Sequence, residues 1–107
     1  MPRLDALLAF LAEDPEDAFT RFALAQEYAR SGDTDEALHH YTTLRTTQPG
    51  YVGTYYHLGK LLEALERSDE ARTVYRDGIA EAAKARDQHA RAELQTALLA
   101  AEGLGEE

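Results

Sequence analysis

Cysteine is missing from this chain of 107 residues. Its absence excludes a disulfide framework and a thiolate metal site, and it fits a reducing compartment. Valine and isoleucine are scarce beside alanine and leucine, which argues for helix against strand. No apolar run approaches the roughly eighteen residues of a membrane span. The apolar stretch from Ala6 to Ala12 is short, follows Asp5 and runs into Glu13-Asp14. It reads as part of a helix face rather than a targeting leader. Positive charge is also in short supply, since 11 Lys and Arg stand against 20 Asp and Glu, a formal net charge of −9. A surface this acidic repels phosphate backbones and anionic lipid, so no nucleic-acid and no membrane partner is expected. The expected location is cytoplasmic. Lys60 and Lys84 are the only lysines; an acidic, lysine-poor surface is what a high-salt cytoplasm favours, which points to halophilic adaptation.

What remains is ordinary for one globular domain, with 44% hydrophobic residues. Leu4, Leu7, Phe10 and Leu11 recur at helical spacing and predict a first helix from about residue 2 to 13. Asp14-Pro15-Glu16-Asp17 stops it and begins the next, because proline tolerates only the first turn of a helix. A second helix follows to about Ser31, carries Phe22, Leu24, Ala25 and Tyr28, and ends at Gly32, a residue suited to a left-handed cap. Asp33-x-x-Glu36 has the form of a capping box and opens a third helix, about 34–47, with Ala37, Leu38, Tyr41 and Leu44 inward. Pro49-Gly50 makes a turn, and a fourth helix spans about 51–65. Ser68-Asp69-Glu70 begins a fifth, with Ala71, Val74, Tyr75, Gly78 and Ile79 as its stripe. Asp87 then caps a sixth that uses Leu94, Ala97, Leu98 and Ala101. The glycine-containing end, 103–107, is expected to fray. All links are short, so neighbouring helices should run antiparallel.

One regularity joins these elements. Sliding the chain by 34 residues puts Leu24-Ala25-x-x-Tyr28 on Leu58-Gly59-x-x-Leu62, Ala37-x-x-x-Tyr41 on Ala71-x-x-x-Tyr75, and Pro15 on Pro49. Small residues at Ala25, Ala37, Gly59 and Ala71 allow two helices to approach closely. Tyr28, Tyr41, Tyr55 and Tyr75 are placed to fill the flanking holes. The pattern resembles the tetratricopeptide repeat (TPR), W-x-x-L-G-x-x-Y, then A-x-x-x-F, then P, in the manner of a small bacterial TPR domain protein. Neither copy has the opening tryptophan; Arg21 and Tyr55 stand in its place. The resemblance implies an all-α fold of antiparallel helix-turn-helix repeats stacked as a short right-handed solenoid of about six helices. On that reading 1–107 is a single domain, with an N-terminal half-repeat helix (1–14), repeats at 18–51 and 52–85, and a C-terminal capping helix (87–102).

The resemblance further implies a concave groove, lined by the first helix of each pair, that holds a protein or peptide segment. The residues placed there are Phe19, Phe22, Gln26, Arg30, Tyr56, His57, Lys60 and Glu63. Aromatic anchors beside a cation suit an extended or helical peptide. The competing reading of Phe19 and Phe22 is packing against the first helix, where Leu7 and Phe10 need a partner. Some TPR domains clamp a carboxylate terminus with Lys, Arg and Asn; Phe22, Gln26 and His57 occupy the corresponding places here, so that role is discounted, and Lys60, Arg30 and Arg91 leave only a weak version of it open. His39 and His40 are adjacent and point about 100° apart on one helix, and exposed histidines explain them better than a metal site. No HExxH, phosphate loop or nucleophile elbow appears. The expectation is a non-catalytic interaction module with no cofactor and an unknown protein or peptide partner. It should be monomeric. The alternative is a homo-oligomer, a dimer that buries Leu94, Leu98 or the N-terminal helix.

Overall fold

The computed structural model describes residues 2–103. Among these are six helices and no strand: α1 (Pro2–Glu13), α2 (Ala18–Arg30), α3 (Thr34–Thr47), α4 (Gly53–Ala64), α5 (Ser68–Ala85) and α6 (Gln88–Ala101). No helix among the described residues is long and apolar enough to cross a membrane. Most of the frayed end expected from the sequence, 104–107, lies outside them. By backbone contact the chain divides into two compact units, Met1–Gln48 and Pro49–Glu107.

In the first unit α1 packs on α2 and α2 on α3. Leu7 buries against Ala23 and Leu24, with Leu4, Leu11 and Tyr28 closing the cluster. Phe10, expected on that face, is 59% exposed. At about 100° per residue, Leu4 and Leu11 lie to one side of Leu7 and Phe10 to the other, so the stripe that meets α2 leaves Phe10 out. The α2–α3 link is a local design. Gly32 takes φ +86, the Asp33 amide returns to the Tyr28 carbonyl at 2.9 Å, and the Asp33 carboxylate accepts from the Glu36 amide at 3.4 Å. That glycine supplies the left-handed turn without a Cβ clash. Across the resulting hairpin Leu24, Ala25, Ala37 and Leu44 are fully buried.

In the second unit α5 packs on both α4 and α6, and α4 also meets α6. Helix α4 begins at Gly53, two residues later than expected. Tyr51 and Val52 form the lead-in instead, their carbonyls accepting from the Thr54 and Tyr55 amides at 3.3 Å each. Tyr55, Leu58, Gly59 and Leu62 of α4 are buried with Ala71, Val74, Tyr75 and Gly78 of α5. The α4–α5 link repeats the α2–α3 link with one change: Glu66 stands one period after Gly32 and carries the left-handed backbone itself, at φ 61. The Arg67 amide returns to the Leu62 carbonyl at 2.9 Å, as Asp33 returns to Tyr28. Helix α5 runs to Ala85, longer than α3, because no proline interrupts it. Arg86 then takes φ 57, and the Asp87 carboxylate caps α6 by accepting from the Ala90 amide at 3.0 Å. Leu94, read from the sequence as an oligomer surface, is 1% exposed. It packs inside its own unit, close to Gly78.

Candidate functional site

The eight groove residues inferred from sequence fall four to each unit. In Met1–Gln48, Phe19 opens α2 and is 68% exposed, so it does not pack against α1. Phe22 is half-buried and meets Tyr41 of α3 edge-on, ring centroids 6.1 Å apart. Gln26 is half-buried on the same helix. Arg30 is tied to Glu27 at 3.2 Å. Glu27 is itself buried and also receives Arg3 Nε at 2.8 Å, so Arg30 here serves a buried carboxylate.

The same unit holds a polar cluster that the sequence reading missed. His40, expected to be exposed, is 7% exposed. Tyr28 stacks flat on it, centroids 5.7 Å apart and planes 2° from parallel, and His39 meets it edge-on. Arg21, one of the two residues standing where the repeat pattern has tryptophan, places Nη1 2.9 Å from His40 Nδ1 and Nη2 3.3 Å from the Pro15 carbonyl oxygen. Arginine can only donate, so Nδ1 accepts and the imidazole proton sits on Nε2, which lies 3.7 Å from Glu36 Oε2. Burial, the Arg21 charge and His39 together hold the His40 pKa down at about 4. The arrangement is a neutral histidine used as a structural hydrogen-bond acceptor for Arg21.

In Pro49–Glu107 the four remaining residues come together on α4. Tyr56, Lys60 and Glu63 stand at i, i+4 and i+7, which places them on one helix face. Lys60 Nζ lies 5.6 Å from the Tyr56 ring centroid, within cation–π range, and 3.7 Å from Glu63. Glu63 in turn accepts from the Tyr75 hydroxyl; that bond and burial, burial first, hold the phenol protonated far above its usual range. His57 is half-buried and turns its ring edge-on to Tyr56 at 5.6 Å. Its pKa is lowered chiefly by burial, against the opposing pull of Glu93 on α6.

Helix α6 completes this surface. A cleft of about 310 Å³ lies between α4 and α6, with Tyr56 and Lys60 on one wall and His89, Glu93 and Thr96 on the other. Alanines 92, 97 and 100 supply its apolar floor. The sequence reading treated α6 as a cap or an oligomer surface, yet the signal for a place in the cleft was present. One more 34-residue step carries Tyr55 to His89 and Leu62 to Thr96, so α6 stands where the next first helix of a repeat would stand. Among the described residues no group of three His, Asp or Glu is arranged to hold a metal ion. The cleft offers a phenol, an ammonium, a hydroxyl and a carboxylate around a methyl-lined floor, which is the equipment of a binding surface.

The tetratricopeptide repeat family model matches residues 28–98. A TPR repeat-containing protein of Pseudomonas aeruginosa is 30% identical over 91 residues, covering 85% of this chain and 87% of that protein. The solution structure of a tetratricopeptide repeat domain protein from Salinibacter ruber is 52% identical, with a TM-score of 0.81 over 85% of this chain and 92% of that one. A crystal structure of a tetratricopeptide repeat domain protein from the same organism is 50% identical, with a TM-score of 0.79 over 83% and 99% of the two chains. A protein from Bordetella parapertussis is 30% identical, with a TM-score of 0.77 over 92% of this chain and 86% of that one.

Proposed function

This chain belongs to the tetratricopeptide repeat family, and from that premise we propose that it binds a peptide segment of a partner protein in the α4–α6 cleft. Members of the family are generally protein-interaction modules. The observation that carries the finer reading is the cleft itself, where the Tyr56 ring and its Lys60 partner face Thr96 and Glu93 over alanine methyls. A peptide side chain of moderate size fits on the methyl floor, and the phenol, hydroxyl and charged groups at the walls read the peptide backbone. Aromatic residues at such a place carry a disproportionate share of binding energy.

The test is selection of peptides from a displayed random library on the immobilised full chain, followed by affinity measurement for the best sequence in solution. Tyr56→Ala should weaken that peptide at least about tenfold, about 1.4 kcal/mol. Thr96→Arg should abolish binding by filling the cleft. Unchanged affinity in both variants would place the binding surface elsewhere.

One observation favours the second reading, self-association through α1. Leu8 and Phe10 on that helix are exposed large apolar residues, and Phe19 at the start of α2 is another. If these residues bury against a second copy, sedimentation should show a monomer–dimer equilibrium that Phe10→Ser shifts to monomer. A single monomeric species at millimolar concentration removes this reading.

A further inference from the structure

The basic residues of an acidic protein are readily claimed by carboxylates, and most of those here are. Of the 11 Lys and Arg side chains, nine have an ion pair, a hydrogen bond or another charge partner. Arg86 and Arg91 are the two with no side-chain partner among the described residues. Both line the same pocket, about 270 Å³ at the α5–α6 turn, with Ala82, Ala83, Asp87 and Gln88.

The turn is a fixed platform for them. The Arg86 amide donates to the Ala83 carbonyl at 3.1 Å, the Asp87 amide to Ala82 at 2.9 Å, and the Arg91 amide to Asp87 at 3.0 Å. Arg86 sits in the left-handed region at φ 57, which turns its side chain out of the line of α5. Arg91 projects from the first turns of α6.

We propose that this pocket takes a carboxylate side chain from an acidic peptide segment, a partner contact beyond the α4–α6 cleft, with which it shares no lining residue. Two guanidinium forks match the planar two-oxygen geometry of a carboxylate, Gln88 adds an amide, and the Ala82 and Ala83 methyls receive the methylenes behind it. Asp87 decides the charge of the ligand. Its carboxylate forms part of the wall, and it repels a phosphate dianion about twice as strongly as a single carboxylate.

Titration of the ¹⁵N-labelled full chain with blocked tetraglutamate, observed by NMR, tests the assignment. Saturable shifts of the Arg86 and Arg91 Nε–H signals are expected, absent with blocked tetraglutamine and much weaker with inorganic phosphate. The double variant Arg86→Gln, Arg91→Gln should weaken binding at least tenfold while retaining the amide spectrum of the folded chain, since neither side chain holds a structural partner. Tyr56→Ala should leave the titration unchanged, which separates this pocket from the cleft. Three results would each overturn the proposal: no saturable shift at the two arginines, phosphate binding as tight as the peptide, or full affinity in the double variant.

Discussion

Gly78→Ala should destabilise the protein by about 2 kcal/mol, read as a lowered urea midpoint at unchanged slope. A Cβ at this position would lie 2.5 Å from Tyr55 Cβ, 2.8 Å from Tyr55 Cγ and 3.0 Å from Leu94 Cδ1. The first of these contacts decides the sign. A Cβ atom is fixed to its own backbone, so no rotation about χ1 moves Tyr55 out of the way, and α4 and α5 must part. Tyr55 is held at its other end as well, its hydroxyl donating to the Pro49 carbonyl oxygen at 2.6 Å. Alanine is the better helix former by up to about 1 kcal/mol, and overpacking costs about 1–3 kcal/mol. With a contact this close the overpacking term lies near its upper end, which leaves the net loss stated. Gly59 makes the same point from the other helix. There the new methyl would run into three atoms of the Tyr75 ring, which is fully buried and bonded to Glu63, so it has no space to swing into. Gly59→Ala should therefore cost at least as much as Gly78→Ala. A change below about 0.5 kcal/mol for Gly78→Ala would mean that the two helices are not in contact at this point.

These glycines also show which parts of the structure a sequence reader can reach. Gly59, Ala25, Ala37 and Ala71 stand at matched places in a 34-residue echo, and all four are buried where the helices cross. The start of α3 follows from Gly32 and Asp33 because capping is written in neighbouring residues. Burial of a polar side chain is different, since it depends on a partner brought from another element. Nothing near Glu27 in sequence announces that Arg3, 24 residues earlier, will reach it. Nothing near His40 announces Arg21 or the Tyr28 ring. Tyr28, placed by the repeat pattern as a hole-filler, is half-buried, with its ring stacked on His40. The cleft was legible by halves. The residues on α4 followed from helical spacing, whereas His89, Glu93 and Thr96 sit on a helix whose residues match the repeat pattern poorly, and only the bare period pointed to them.

Acidification should loosen the protein between pH 6.5 and 4 through His40. The imidazole is neutral in the fold with its pKa depressed to about 4, while in the unfolded chain it titrates at about 6.5. The unfolded state therefore binds more protons throughout that interval, and stability falls as pH falls. Above pH 6.5 both states are neutral and the full stability is present. Below pH 4 both are charged and the loss is complete. Linkage makes the deficit about 2 kcal/mol at pH 5 and about 3 kcal/mol at pH 4 relative to pH 7. The physical cause is specific. A proton on Nδ1 removes the acceptor that Arg21 uses at 2.9 Å and sets two cations against each other beside the Tyr28 ring. Glu36 at 3.7 Å from Nε2 offsets part of the repulsion, but it is half exposed. His57, also depressed by burial, and the carboxylates titrate over the same range, so the wild-type curve alone does not isolate the effect. Comparison with His40→Gln does, because glutamine can accept from Arg21 and carries no titratable group. Urea unfolding of both proteins at pH 7, 5 and 4 should show a gap that changes by about 3 kcal/mol in favour of the variant across the range. Parallel curves would mean that His40 titrates in the folded chain as it does in the unfolded one, with no depression of its pKa.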